Sequence, residues 1–215
     1  MIYLLDQNYP KKSALTFVAN HYTLNKNLRN ILNRASLSKN IVITIQNNLV
    51  KDYDALKGRE FHIDAYNQLT TFYSLKNNDP LIICRDGVLR DIFSTIHTKR
   101  DLRIDRELLV PYFKSVLKLE PNSLHFYFDK QISFSKEHRK LVATLFQEFD
   151  LLGSCEIYKA VDWCLKNKTN EIVLSHDSNV LTKASHCFDF FSWFFYVDSH
   201  LPYSQIIDFL NITCF

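Results

Sequence analysis

Two hydrophobic rhythms alternate along the chain. Short apolar runs at Arg59–Ile63, Leu81–Cys84, Leu124–Phe128, Cys155–Tyr158, Glu171–Leu174 and Ser192–Val197 read as buried strands. Between them apolar residues recur three or four positions apart, which predicts helices over Gln68–Leu75, Leu108–Leu119, Ser135–Phe149, Lys159–Asn167 and Tyr203–Leu210. Ser135 is placed to cap the third of these. Asn77-Asn78-Asp79-Pro80 is a turn, and Gly87 a tight turn after which Val88–Asp91 opens a helix. The first part of the chain is helical throughout. Lys11–Tyr22 begins just after Pro10, Leu28–Ala35 carries a short stripe, and Ile41, Ile45, Leu49, Tyr53 and Leu56 keep helical spacing to the end of the segment.

Alternation of strand and helix predicts β-α-β units, and therefore an α/β fold with a mainly parallel, Rossmann-like sheet flanked by helices. Gly58 marks the boundary between a helical N-terminal segment, 1–57, and a main domain, 58–215. Asp64, Asp129 and Asp177 each follow a strand, and Asp162 lies near the start of a helix. In an open α/β sheet the crevice beyond the strand carboxyl ends is where ligands bind. A lone aspartate there is more often a turn residue or a helix cap, but four predict a shared acidic pocket. Clustered carboxylates repel by roughly 1 kcal/mol per pair in water and more when shielded from it. A hard divalent ion relieves that repulsion, and oxygen-only ligands suit Mg²⁺ or Mn²⁺ better than zinc.

Composition removes several alternatives. With only three glycines, neither a P-loop nor a dinucleotide-binding fingerprint can be drawn. The five cysteines are scattered, odd in number and lack a C-x-x-C pair, which argues against a disulfide framework and a cysteine zinc site. No G-x-S-x-G elbow is present, and His176 has no matched nucleophile, so it reads as structural or at the pocket rim. No stretch is as long as a membrane span and the start lacks a signal-peptide pattern, so the expected compartment is the cytoplasm, with no membrane partner. A net charge of +3 permits a nucleic acid partner without demanding one.

The order of motifs resembles the NYN branch of the PIN-domain ribonucleases. Asp64-Ala65-Tyr66-Asn67 is similar to the D-G-Y-N that closes the first strand there, Phe128-Asp129 to the second acidic position, Asp162 to the third and Ser175-His176-Asp177 to the T-S-D ending. Tyr9–Leu15, Asp64–Asn67 and Cys84–Asp91 resemble more closely an uncharacterised prokaryotic family of PIN-like proteins with a helical N-terminal segment. Ala65 replaces the usual glycine, and Ser178-Asn179 adds no carboxylate. The resemblance implies a metal-dependent nuclease that hydrolyses RNA phosphodiester bonds with Mg²⁺ or Mn²⁺. Asp64, Asp129 and Asp177 would hold metal, Asp162 would complete a second ion or orient water, and Asn67 would fix Asp64 or a water.

Basic residues supply the substrate side of this reading. Arg85 and Arg90 are candidate phosphate contacts, with Asp86 neutralised by a neighbouring arginine. Lys99, Arg100, Arg103 and Arg106 form either a solvated face or a track for substrate backbone. Lys26, Arg29 and Arg34 allow a helix-turn-helix reading, against which a helical pair covering the sheet or joining a homodimer is the simpler expectation. The aromatic stretch from Phe188 to Tyr196 reads as a buried strand, or as a partner surface where exposed. The competing function is a non-catalytic module that keeps the fold and binds nucleic acid or a protein partner.

Overall fold

The computed structural model describes residues 1–92, 102–198 and 206–209. Four helices come first: α1 (Ile2–Asp6), α2 (Lys11–His21), α3 (Lys26–Ala35) and α4 (Lys39–Asn48). The main domain then runs β1 (Glu60–Asp64), α5 (Ala65–Lys76), β2 (Leu81–Ile83), β3 (Leu89–Asp91), α6 (Arg106–Leu117), β4 (Ser123–Asp129), α7 (Ser135–Glu148), β5 (Gly153–Tyr158), α8 (Val161–Lys166), β6 (Ile172–Leu174), α9 (Ser178–Leu181), α10 (Phe190–Trp193) and β7 (Ile206–Asp208).

The central sheet is parallel, in the order β5-β4-β1-β6. Alternation sends Phe61, Ile63, Leu124, Phe126 and Phe128 to one face, where they pack in a large core with Leu69 and Phe72 of α5, Tyr112 and Phe113 of α6, and Val142 and Leu145 of α7. His62, Asp64, His125, Tyr127 and Asp129 fall on the other face. That face is covered by a smaller core joining Tyr127 and Val173 to Val161 and Leu165 of α8, Val180 and Leu181 of α9, and Ile45 of α4. The molecule is thus an α/β protein with helices on both sides of a parallel sheet.

A second sheet, β3-β2-β7, pairs β2 antiparallel with β3 and parallel with β7. Val88–Asp91 was expected to open a helix and instead closes a hairpin. Asp86-Gly87 supplies the turn, with Gly87 at φ +80° and the Asp86 carboxylate accepting the Val88 N–H at 3.2 Å. The long helix expected to reach Leu56 stops at Asn48, because Leu49 forms a parallel bridge with Cys187 and the Val50 N–H donates to the Cys187 carbonyl at 2.8 Å.

The strand expected at Ser192–Val197 is helical. Asp189 caps α10, accepting the Ser192 N–H at 3.1 Å and its hydroxyl at 2.5 Å, and a π-helical turn continues over Phe194–Asp198. An unbroken apolar run marks burial but not the element that buries it. Phe190, Phe191, Trp193 and Phe195 are buried as expected, whereas Tyr196 is exposed. At the other end Ile206–Asp208 is a strand rather than part of a helix, and the Phe209 N–H extends its pairing by donating to the Ile83 carbonyl at 3.1 Å; residues 203–205 and 210 of that expected helix lie outside the described residues, as do Lys99 and Arg100. Ser135 is not the cap of α7: Phe134 holds that position in the left-handed region, at φ +63°, without a side-chain bond.

The N-terminal helices are fastened directly to the main domain. The Arg85 guanidinium donates to both carboxylate oxygens of Asp6, at 2.6 and 2.8 Å, and to the Leu37 carbonyl at 2.7 Å. Gln46 donates to the Asp86 carbonyl, and Asn48 to the Leu181 carbonyl at 2.9 Å. No helix among the described residues is long and apolar enough to cross a membrane.

Candidate functional site

Chain direction creates a switch point between β1 and β6. These strands are neighbours, yet β1 leads into α5 on one face of the sheet and β6 leads into α9 on the other. The diverging backbones leave a crevice at the strand carboxyl ends, the usual ligand position in such sheets. Asp64 ends β1, and Ser175-His176-Asp177 leaves β6.

Hydrogen bonds stitch the two strand ends together. The Asp64 carboxylate accepts the Ser175 hydroxyl at 3.1 Å and the Asn67 N–H at 3.4 Å, while the Asn67 side-chain oxygen accepts the His176 N–H at 2.6 Å. Asp177 accepts the Asn179 N–H at 2.7 Å and so caps α9. Asp129, at the end of β4, accepts the Gln131 N–H at 2.7 Å. Asp162 stands exposed in the first turn of α8.

Burial dominates the electrostatics here. It pushes the Asp64 carboxyl up to about 7 against the bonds from Ser175 and Asn67, and the charges of Asp162 and Asp177 push the same way. Asp162 is also raised, by burial first and then by Asp177 and Asp129. The charges of Asp162 and Asp177 thus reach Asp64, and that of Asp129 reaches Asp162. The four predicted aspartates are not a closed cage: among the described residues, no three of them bring ligand oxygens within 4.8 Å of one another.

A cleft of about 800 Å³ opens between the N-terminal helices and the end of β6, and of the four predicted aspartates it is lined by Asp177 but not by Asp64, Asp129 or Asp162. Asn67, His176 and Asp177 line one side, and Lys11 of α2 and Arg34 of α3 face them. Burial and then the charge of Arg90 lower the Lys11 ammonium from its usual value, with Cys84, Asp86 and Asp177 opposing. Arg34 pairs with Asp91 at 3.3 Å, and its buried Nε has no hydrogen-bond partner.

The two arginines singled out from sequence have other duties. Arg90 lines the cleft, but its guanidinium is clamped on Asp86 at 2.6 and 2.5 Å and donates to the His176 carbonyl at 2.8 Å. Arg85 does not line this cleft and holds α1 through Asp6, whose carboxyl it draws down to about 2. His176 is buried between Gln68, at 3.2 Å, and Thr71, at 3.4 Å, and burial keeps its pKa far below the usual value. Sequence reasoning missed Lys11. Its one signal was the fixed start of α2 behind Pro10, which aims the first helical residues at whatever packs above the sheet.

Residues 53–193 match the family model of a domain of unknown function, DUF5616. The chain belongs to the DUF5616 family. Residues 1–46 match a second model, a protein of unknown function, DUF434. The chain is also 30% identical over 180 residues to the uncharacterized protein MJ0935 of Methanocaldococcus jannaschii, a match covering 83% of this chain and 84% of that relative. No solved structure matches it. The cleft draws on both matched regions, Lys11 and Arg34 from the DUF434 part and Asn67 and Asp177 from the DUF5616 part.

Proposed function

We propose that this DUF5616 protein is a PIN-like, divalent-metal-dependent nuclease whose substrate is RNA. The observation that carries the reading is the buried Asp64 carboxylate at the switch point, bonded by Ser175 and Asn67, where burial pushes its carboxyl up to about 7. Such a group is strained when ionised, and a site that strains an acid is a candidate for cation binding. The donors on this rim are carboxylate, amide and hydroxyl oxygens, which fit Mg²⁺ or Mn²⁺. Asp64, Asp129, Asp162 and Asp177 would hold the metal. When bound, such an ion polarises a phosphodiester and lowers the pKa of water.

The chain's own residues supply the rest. Ser175 and Asn67 orient the Asp64 carboxylate through the hydrogen bonds they give it. Asp162, exposed in the first turn of α8, would complete a second ion or orient the attacking water. Lys11 and Arg34 bind phosphate oxygens across the cleft from Asp177.

A second reading, a nucleic-acid-binding module without catalysis, draws on one feature: Asp64, Asp129 and Asp177 each accept a local backbone N–H, and no three of the four carboxylates converge. Mn²⁺ titration separates the two readings, and the exposed Trp163 beside Asp162 is a ready fluorescence reporter. The nuclease reading requires Mn²⁺ binding that is lost in Asp64→Asn and Asp177→Asn. RNA binding in EDTA with no Mn²⁺ uptake supports the module instead.

A further inference from the structure

The opposite end of the same sheet face holds a different set of donors. Glu60 and His62 lie two residues apart on β1 and share a face, and parallel pairing sets His62 beside His125 of β4. The two imidazoles stack at 4.7 Å between centroids, with 18° between their planes. Ligand atoms of Glu60, His62 and His125 all lie within 4.8 Å of one another, and His62 Nε2 is 3.8 Å from Glu60 Oε2.

His62 supplies the deciding observation. The residue is 4% exposed, and its Nε2 is buried with no hydrogen-bond partner, a costly state for a polar atom. Its other ring nitrogen is bonded to the Tyr127 hydroxyl at 2.7 Å. A ring anchored through one nitrogen while the other points unpartnered toward a carboxylate and a second imidazole has the arrangement of a metal-ligating histidine and its orienting partner.

We propose that Glu60, His62 and His125 form a second metal site, separate from the acidic rim, that takes Zn²⁺ or a similar nitrogen-preferring divalent ion. Two histidines and one carboxylate give three protein ligands and leave a fourth position open. A tetrahedral ion with bonds near 2.1 Å needs donors about 3.4 Å apart, so the trio must close slightly. Glu60 can do so because its side chain is 54% exposed. His125 lies between the hydroxyls of Ser123, at 3.1 Å, and Ser154, at 3.0 Å, and either hydroxyl can rotate away to free a ring nitrogen. Burial lowers both histidines, His62 to about 4, so both rings offer lone pairs at neutral pH. The nearby Lys168 charge is offset by its pair with Glu171 at 3.6 Å.

Its two β1 ligands, His62 and Glu60, stand two and four residues from Asp64, roughly 7 and 13 Å along a strand, and substitution at each end separates the two sites. Metal-free protein is titrated with Zn²⁺ by calorimetry, and with Co²⁺ by visible absorption. The wild type should take up one Zn²⁺ at this site and give the intense visible bands of four-coordinate Co²⁺. Glu60→Gln, at an exposed position, should keep the fold by circular dichroism and bind Zn²⁺ at least tenfold more weakly. His125→Gln should lose the Co²⁺ bands, and Asp64→Asn should leave both readouts unchanged. No Zn²⁺ uptake by the wild type would overturn the proposal, as would uptake that persists unchanged in both Glu60→Gln and His125→Gln.

Discussion

At the scale of single residues, the fold tolerates buried groups that it would be more stable without. Asp64 is the clearest. Its carboxyl titrates at about 7 in the folded chain against 3.8 ordinarily, so between those values the folded state holds a proton that the unfolded state has released. Stability is therefore lost as pH rises through that window, by up to about 4 kcal/mol for a shift of this size. Asp64→Asn removes the loss. In EDTA, urea unfolding should show the variant gaining on the wild type by roughly 1–4 kcal/mol at pH 8 and by nothing near pH 4. An equal destabilisation at both pH values would mean that the carboxylate serves only as a cap. His62 has the opposite sign. Held at about 4 against 6.5, it stays neutral while the unfolded chain takes up a proton, so stability falls as pH drops from 6.5 to 4, by roughly 3 kcal/mol. His62→Gln should flatten that acid limb in thermal melts. Asp64, Asp129 and Asp177 were legible in the sequence because each ends or follows an apolar run, and Asp162 because it opens a helix. The pairing of Asp86 with a neighbouring arginine was legible too, since Arg90 stands four residues away, but the buried Nε2 of His62 was not, because it depends on which strands become neighbours.

At the scale of elements, the sequence was most readable where periodicity and boundary signals agreed. β1, α5, β4 and α7 lie within a few residues of their expected spans, since apolar spacing and the turn residues around them point the same way. The misreadings share one cause, which is that burial alone does not separate strand from helix. α10 is a helix because Asp189 caps it, and β3 is a strand because Asp86-Gly87 makes a hairpin turn. The glycines at such joints are not equivalent. A Cβ at Gly153, where φ is +138°, would stand 1.8 Å from the Leu124 carbonyl oxygen, whereas one at Gly87 would meet only the Gln46 side-chain nitrogen, at 3.2 Å. Gly153→Ala should destabilise the protein by about 3 kcal/mol or more by forcing β5 away from β4, and Gly87→Ala by about 1 kcal/mol. Chemical denaturation of the pair checks the order; equal losses would contradict the close approach at Gly153.

At the scale of the whole molecule, the cleft exists because two matched regions meet. The sheet side supplies Asp177 and Asn67, and the N-terminal helices supply Lys11 and Arg34. That Lys11 and Arg34 share a cleft with Asp177 was not legible in the sequence, since it depends on how α2 and α3 pack over the strand ends. If the cleft holds a phosphate backbone, Lys11→Ala and Arg34→Ala should each weaken single-stranded RNA binding several-fold and reduce the salt dependence by about 0.7 in log–log slope. Filter binding at several salt concentrations measures both quantities, and an unchanged slope would place the RNA elsewhere. A nuclease built on the acidic rim cuts phosphodiester bonds. Its most direct test is cleavage of end-labelled RNAs and single-stranded DNAs in Mn²⁺ by the wild type, Asp64→Asn and Asp177→Asn, with EDTA as control. The expected result is metal-dependent RNA cleavage that both substitutions abolish. No cleavage by a folded, Mn²⁺-supplied wild type, or cleavage that survives both substitutions, would contradict it.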